Sequence, residues 1–357
     1  MKKCLWKAFL VGLLLTFGAN APVLAAKKVT HKTVAGTSKK AQAKPQRQVR
    51  SGKAAKPSKM TQAAKSAKRG KIMRAAKGQK PVARRQARKI DVHHVSLDQQ
   101  FENGKLSLYS ASAYVIDQAS GEALVDKNSN ATLPIASISK LMTAMVVLDA
   151  RQNMEEVIAV GDEDVDTVKG TRSRLPVGTT MTRQTAMLLA LMSSENRAAH
   201  TLARHYPGGL PAFVAAMNLK SRILGMNRTH FEEPTGLSSN NVSTARDLAV
   251  MVAAAAEYPE IRVASTTAAA TLDVNGRIQN FSNTNALVKS DTWQIDVSKT
   301  GYISEAGRCL VMKAKVASRP VVIVLLDSSG KMTRVGDAIR IKRWMESAGL
   351  SYKPRNA

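Results

Sequence analysis

The sequence predicts an α+β domain in which one antiparallel sheet, flanked by helices, is assembled from both ends of the folded segment. Alternating apolar residues occur at 112–128 and strand character returns from Trp293 to Asp327, while residues 183–257 are helix-rich. Strands at both ends with helices between require a sheet whose edges are far apart in sequence. Charge is segregated as well. Residues 1–90 hold 25 of the 54 Lys and Arg and none of the 26 Asp and Glu, so the formal net charge of +28 belongs almost wholly to the front of the chain. The 267 residues that follow are close to neutral, and numerous enough to bury a substantial core without disulfides or metals.

The front divides in two. Lys2, Lys3 and Lys7 precede an apolar run from Ala8 to Ala19 and the small-residue site Val23-Leu24-Ala25, the pattern of a secretory signal peptide over residues 1–25. A run of twelve falls short of the roughly 20 residues that span a bilayer. Cleavage after Ala25 or Ala26 therefore leaves a mature chain with no expected transmembrane segment. Cys4 departs with the signal, and Cys309 alone forms no internal disulfide. Residues 26–90 lack the apolar side chains that offset chain entropy and are expected to form a disordered basic arm, about 40 to 50 Å long as a flexible coil. The arm is either a plain spacer or an electrostatic contact with an anionic envelope polymer. Without interleaved aromatics it has no base-stacking signature. Residues 91–109 read as a linker, 110–350 as the domain and 351–357 as a tail.

Within the domain, SAYVIDQ and EALVDKN form a hairpin across Ala119-Ser120-Gly121. In LPIASISKLMTAMVVLDA, Ile138, Leu141, Met142, Met145 and Val146 recur at helical spacing, and the helix starts close to Ser137. RQTAMLLALMSS and ENRAAHTLARHY follow as helices. A third opens at Pro211 and ends at Gly225, and a fourth opens at Ser243 or Thr244. WQIDVSKTG, GRCLVMKAKVA and RPVVIVLLD return to strand character before a terminal helix around VGDAIRIKRWMESAG.

Three motifs carry chemistry. Ser137-Ile138-Ser139-Lys140 sets an amine one helical turn from a hydroxyl, and desolvation in an apolar helix makes that amine a base near neutrality. Alone, the motif reads equally well as a helix cap with a snorkelling lysine. A second match, Ser328 to Lys331, falls in a turn where no helical face pairs the groups. Ser194-Glu195-Asn196 brings a hydroxyl that can shuttle a proton and an amide that can hold a substrate amide. The same S-x-N pattern recurs at Ser238–Asn240 and Ser239–Asn241. Lys299-Thr300-Gly301 ends an apolar strand with a cation, a hydroxyl and a residue that permits close backbone approach. The order and spacing, 57 residues from Ser137 to Ser194 and 105 from Ser194 to Lys299, match the three-motif set of penicillin-binding proteins and class A β-lactamases.

With LMSSENRAA, HYPGG, EPTGLS, VSTARDL, NTN and SKTG added, residues 110–349 resemble the low-molecular-weight D-alanyl-D-alanine peptidases, in particular the endopeptidase branch of the penicillin-binding protein 7 type. The resemblance implies a β-lactamase/transpeptidase-like fold, with an antiparallel sheet beside an all-helical lobe and the site between them. It further implies Ser137 as acylated nucleophile, Lys140 as general base, Ser194 as proton relay and Asn196 as substrate contact. Lys299 would supply positive potential, Thr300 of the Lys299-Thr300-Gly301 motif would bond a carboxylate, and the backbone amides of Ser137 and Tyr302 would form the oxyanion hole, at about 3 to 4 kcal/mol per donor. The implied partners are peptidoglycan stem peptides, with β-lactam antibiotics as inhibitors, and the implied place is the periplasm in association with the wall.

Trimming of terminal D-alanine stands as the alternative to cross-link cleavage. A β-lactamase is less favoured, because FEEPTGLSSNN replaces the E-x-x-L-N loop of class A, although Glu232 and Glu233 remain loop acids. A chain stopping at Ala357 lacks the C-terminal β domain and membrane helix of the large carboxypeptidases, an expectation of a soluble enzyme. A silent binding module tethered by the arm conflicts with intact Ser137, Lys140 and Lys299. No H-E-x-x-H, paired-Cys or G-x-S-x-G pattern occurs, so neither metal, other cofactor nor a lipase-like triad is expected. His200 and His205 read as helix surface.

Overall fold

The computed structural model describes residues 101–102 and 105–349. The signal peptide, the basic arm, most of the linker and the tail lie outside the described residues. Strands β1 (Phe101–Glu102) and β2 (Lys105–Leu106) pair antiparallel, and β3 (Ser110–Asp117) and β4 (Ala123–Lys127) form the expected hairpin. After β5 (Leu133–Pro134), a 3-10 turn over Ala136–Ser139 runs into helix α1 (Lys140–Asp149). Next come β6 (Val157–Ala159), β7 (Thr180–Thr182), α2 (Arg183–Met192), α3 (Asn196–Arg204) and α4 (Gly209–Ile223). Strand β8 (Val242–Ser243) pairs with β5 ahead of α5 (Ala245–Ala255) and α6 (Pro259–Thr266). Strands β9 (Ala269–Val274) and β10 (Arg277–Ser282) form a second hairpin. The chain then runs through β11 (Gln294–Ile303), β12 (Gly307–Val316), β13 (Arg319–Ser328) and α7 (Thr333–Ser347).

The main sheet has the order β11-β12-β13-β3-β4, antiparallel throughout, so the two ends of the domain meet where β13 pairs with β3. Successive side chains of a strand point to opposite faces. In β13, Val322, Val324 and Leu326 enter one apolar cluster with α1 and α5, while Val321, Ile323 and Leu325 enter another with Ala338, Ile341 and Met345 of α7. Coverage on both faces explains why RPVVIVLLD is apolar without alternation. Leu106 and Leu108, from the stretch read as linker, pack on the α7 cluster.

The helical lobe surrounds α1. Lys140 through Val147 are buried in unbroken succession, so α1 is a central helix enclosed on every side rather than an amphipathic one. The cap of α5 is Thr244, whose hydroxyl accepts from Asp247 N. Helix α4 opens two residues before Pro211, which sits in the first turn, where its missing N–H costs nothing. The sequence reading omits α6, with Pro259 as its first residue, and the β9–β10 hairpin. Asn275 and Gly276, at φ +53° and +76°, make its two-residue turn with the left-handed pair of a type I′ turn.

The start of β3 is tied to α7 by one carboxylate. Asp337, fully buried, accepts from Tyr109 N at 3.1 Å, Ser110 N at 2.7 Å, Ser110 Oγ at 2.6 Å and Arg340. Asp337→Ala leaves two backbone N–H groups and a guanidinium without their acceptor. It is expected to lower unfolding free energy by about 3 kcal/mol, read as a drop in the urea midpoint at constant slope.

Candidate active site

The turn that carries Ser137 is clamped from two sides. A β-carbon on Gly236, which holds φ +82°, would lie 1.9 Å from the Ala136 carbonyl oxygen, and one on Gly301 would lie 2.9 Å from Ile135 O and 3.1 Å from Ser137 N. Glycine is required at both contacts, which accounts for the third position of Lys299-Thr300-Gly301. Ala136 takes φ +49° in this turn, a costly conformation for a residue with a β-carbon. Ser139 Oγ donates to Ala136 O, and Asn241 Nδ2 donates to Ser139 Oγ. The extra S-x-N matches at 238–241 thus fall in the loop that braces the turn.

Lys140 is fully buried, and its Nζ donates to Ser137 Oγ at 2.9 Å, Asn196 Oδ1 at 2.7 Å and Thr235 O at 2.6 Å. Burial takes its pKa down from 10.5 to about 7, against the opposing pull of Glu233 and Glu195. Two of the three partners are oxygens that only accept. A neutral amine has two N–H groups and a lone pair, so with those N–H groups on Asn196 and Thr235 the lone pair faces the Ser137 hydroxyl.

Ser194 sits between α2 and α3 at φ +61°, and its Oγ accepts from Lys299 Nζ at 2.9 Å. Lys299 also donates to Thr300 O at 2.9 Å. Burial lowers its pKa well below the usual lysine range, and the charges of Lys140 and Arg334 push the same way. Thr300 Oγ1 donates to Thr284 Oγ1 at 2.6 Å. Lys299-Thr300-Gly301 lies inside β11 rather than at its end, on the edge strand of the sheet. Ser137, Lys140, Asn196, Ser194, Lys299 and Gly301 therefore converge between sheet and helical lobe. The Tyr302 ring turns out to solvent under the Arg308 guanidinium, 4.4 Å away, so only its backbone faces the question of an oxyanion hole.

The loop between β6 and β7 wraps Ser194-Glu195-Asn196. Ser173 Oγ and Arg174 Nε donate to the buried Glu195 carboxylate at 2.8 and 2.9 Å, Arg197 donates to Leu175 O, and Lys169 pairs with Glu305 on the β11–β12 turn. Glu233 accepts from Thr235 N, Thr235 Oγ1 and Gly236 N at 2.5 to 2.7 Å and shapes the loop that presents Thr235 O. The competing Ser328 is buried and bonds Ser110 Oγ at 2.7 Å, beside Asp337, whereas Lys331 is exposed. His200 is not free helix surface, since its Nδ1 meets Asp164, a carboxylate also held by Thr201 and Arg204.

Arg334 also escapes sequence reasoning. Arg334 is nine-tenths buried in the first turn of α7, and its Nε and Nη1 have no hydrogen-bond partner among the described residues. A cation at the positive end of a helix is unfavourably placed, and that position is the signal that marks it. A hollow of about 460 Å³ between α2 and α6 contains none of the motif residues, whereas a smaller one of about 130 Å³ borders Asn196 and Thr235.

A family model described as D-alanyl-D-alanine carboxypeptidase matches residues 99–330. The D-alanyl-D-alanine endopeptidase of Pseudomonas aeruginosa is 46% identical over 252 residues, which cover 70% of this chain and 81% of that protein. That of Escherichia coli is 46% identical over 258 residues, covering 70% and 83%. The crystal structure of the Streptomyces K15 DD-transpeptidase superposes with a TM-score of 0.63 at 27% identity, covering 68% of this chain and 99% of the other.

The environment of Lys140 predicts its titration. In protein carrying lysines labelled at the ε-carbon, one NMR resonance, absent from Lys140→Arg, is expected to titrate with a midpoint of about 7. A midpoint near 10 would contradict the desolvated amine.

Proposed function

The chain belongs to the D-alanyl-D-alanine carboxypeptidase family, the S11 serine peptidases, and from that premise we propose that it hydrolyses D-alanyl peptide cross-links of peptidoglycan through an acyl-enzyme on Ser137. The observation that carries this reading is the Lys140 socket, in which two obligate acceptors direct the amine lone pair at the Ser137 hydroxyl. Lys140 takes the Ser137 proton as Oγ attacks the D-alanyl carbonyl. The backbone amides of Ser137 and Tyr302 bond the oxygen that gains charge. When the C–N bond breaks, the proton passes from Lys140 through Ser194 to the leaving nitrogen. Water then attacks the ester, giving its proton to Lys140, and Ser137 recovers its hydroxyl.

Substrate placement follows from charge. Lys299, Thr300 and Arg334, whose Nε and Nη1 have no partner among the described residues, suit a carboxylate on the leaving side of the scissile bond, and Asn196 suits the substrate amide. A β-lactamase needs a carboxylate free to activate the deacylating water. Glu233 is engaged by its own loop, and Glu232 by Ser238 and Asn240, which favours a long-lived penicilloyl ester. Cross-link cleavage, rather than removal of terminal D-alanine, rests on the two 46% identical relatives, both named endopeptidases. Export with cleavage near Ala25 would place the enzyme in the periplasm, with the basic arm held to an anionic envelope polymer.

Fluorescent penicillin is expected to label wild-type protein at Ser137 and not Ser137→Ala. Lys140→Arg is expected to lose at least a hundredfold in acylation rate, because a guanidinium stays protonated. Mass analysis of cross-linked and uncross-linked muropeptides after incubation distinguishes the two bonds, and conversion of the uncross-linked set alone would refute the endopeptidase reading.

Removal of residues 27–90, which hold 22 basic and no acidic residues, is expected to leave penicillin acylation unchanged while weakening sedimentation with sacculi. The difference should shrink steeply as salt is raised. Equal retention at every salt concentration would make the arm a spacer.

A further inference from the structure

The carboxamide of Asn196 has nearly the same shape when flipped, yet only one orientation offers Lys140 an acceptor. What selects it lies outside the three motifs. Asn196 Nδ2 donates to Thr171 Oγ1 at 3.0 Å, and Thr171 Oγ1 donates to Asp166 Oδ2 at 2.6 Å. A carboxylate can only accept. The single Thr171 proton is thereby committed to Asp166, and toward Asn196 the hydroxyl can present only lone pairs. Nδ2 must then face Thr171, and Oδ1 must face Lys140. Asp166 is itself fixed by Val168 N at 2.8 Å and Lys169 N at 2.9 Å on one oxygen and Thr171 N at 2.8 Å on the other.

We propose that Asp166 and Thr171 are positioning residues for the catalytic base. Their directed hydrogen bonds hold the Asn196 amide with its oxygen on Lys140 and so keep the amine lone pair on Ser137. Without Thr171 Oγ1 the amide is free to rotate, and Nδ2 can face Nζ. The flipped amide disfavours the ammonium, because two donors then meet. It also gives the neutral lone pair a competing partner in place of the Ser137 proton. Two effects follow together: the Lys140 pKa falls, and acylation slows although more of the amine is neutral. The other charged groups facing Lys140 are Lys299 on β11, Glu195 before α3 and Glu233 on the Thr235 loop, and none of them is hydrogen-bonded to Thr171. Thr171 is solvent-exposed, so water can occupy the vacated place, but a free water donates as readily as it accepts and restores no direction.

The proposal rests on Ser137 and Lys140 acting as nucleophile and base, and its test separates the two. Full-length Thr171→Val, Thr171→Ser and Asp166→Asn would be compared with wild type for penicillin acylation rate against pH, and for the Lys140 titration by ε-carbon NMR, which requires no activity. Thr171→Val is expected to reduce the plateau rate about tenfold and to move both the rising limb and the NMR midpoint to lower pH. Thr171→Ser should restore both, and Asp166→Asn should shift both in the same direction. A plateau loss with unmoved midpoints, or Thr171→Val behaving as wild type, would overturn the proposal. Failure of Ser137→Ala to abolish labelling would instead refute the assignment of the nucleophile and leave the NMR arm standing.

Discussion

The Nζ of Lys140 meets three oxygens and no contacting carboxylate, and most of the cleft can be read as the means of keeping it so. A partnering acid would hold the amine charged; here Glu195 and Glu233 act only from beyond hydrogen-bond range. Burial removes the solvent that would otherwise favour the ammonium. That requires α1 to be enclosed along its whole first two turns, which is why Leu141 through Val147 sit without exposed surface among the helices of the lobe and the inner face of the sheet.

The three acceptors come from different parts of the chain: the 3-10 turn ahead of α1, the start of α3, and the loop around Thr235. Each is held by a local device. Glu233 folds its loop around backbone amides, the 166–175 segment grips Ser194-Glu195-Asn196, and the glycines at 236 and 301 admit the Ser137 turn. The sheet supplies the opposite wall through its edge strand, where Lys299 reaches the Ser194 hydroxyl across the lobes.

Much of this was legible because it is local in sequence. Ser137 and Lys140 are three residues apart, the β3–β4 hairpin carries its own turn, and the start of α5 shows itself to within one residue at Ser243 or Thr244. Other parts had no side-chain signature. Thr235 serves through its carbonyl oxygen, which any residue possesses, and the roles of Asp166 and Glu233 appear only once distant segments meet. Helix α1 shows a stripe in its sequence but is buried all round, because periodicity reports contrast between faces and a polar Thr143 or Lys140 can be buried with a partner. The Asn275-Gly276 turn did carry a signal, a two-residue hairpin dipeptide between strand-like segments, and the β9–β10 hairpin was readable from it.

Two buried lysines with no carboxylate partner among the described residues carry a thermodynamic consequence. An unfolded lysine binds its proton up to about pH 10.4, whereas folded Lys140 releases it near 7. Between these values the unfolded chain holds more protons, so the free energy of unfolding rises with pH across that window, and below pH 7 the full burden of burying the charge weighs on the fold. The catalytic cleft is thus a site of stored instability, of the kind that trades robustness for activity. An apolar side chain of similar length in place of Lys140 would make a sturdier and inert molecule. An occupant that brings negative charge to Lys299 would relieve part of the burden, so the fold is at its firmest when the cleft is in use.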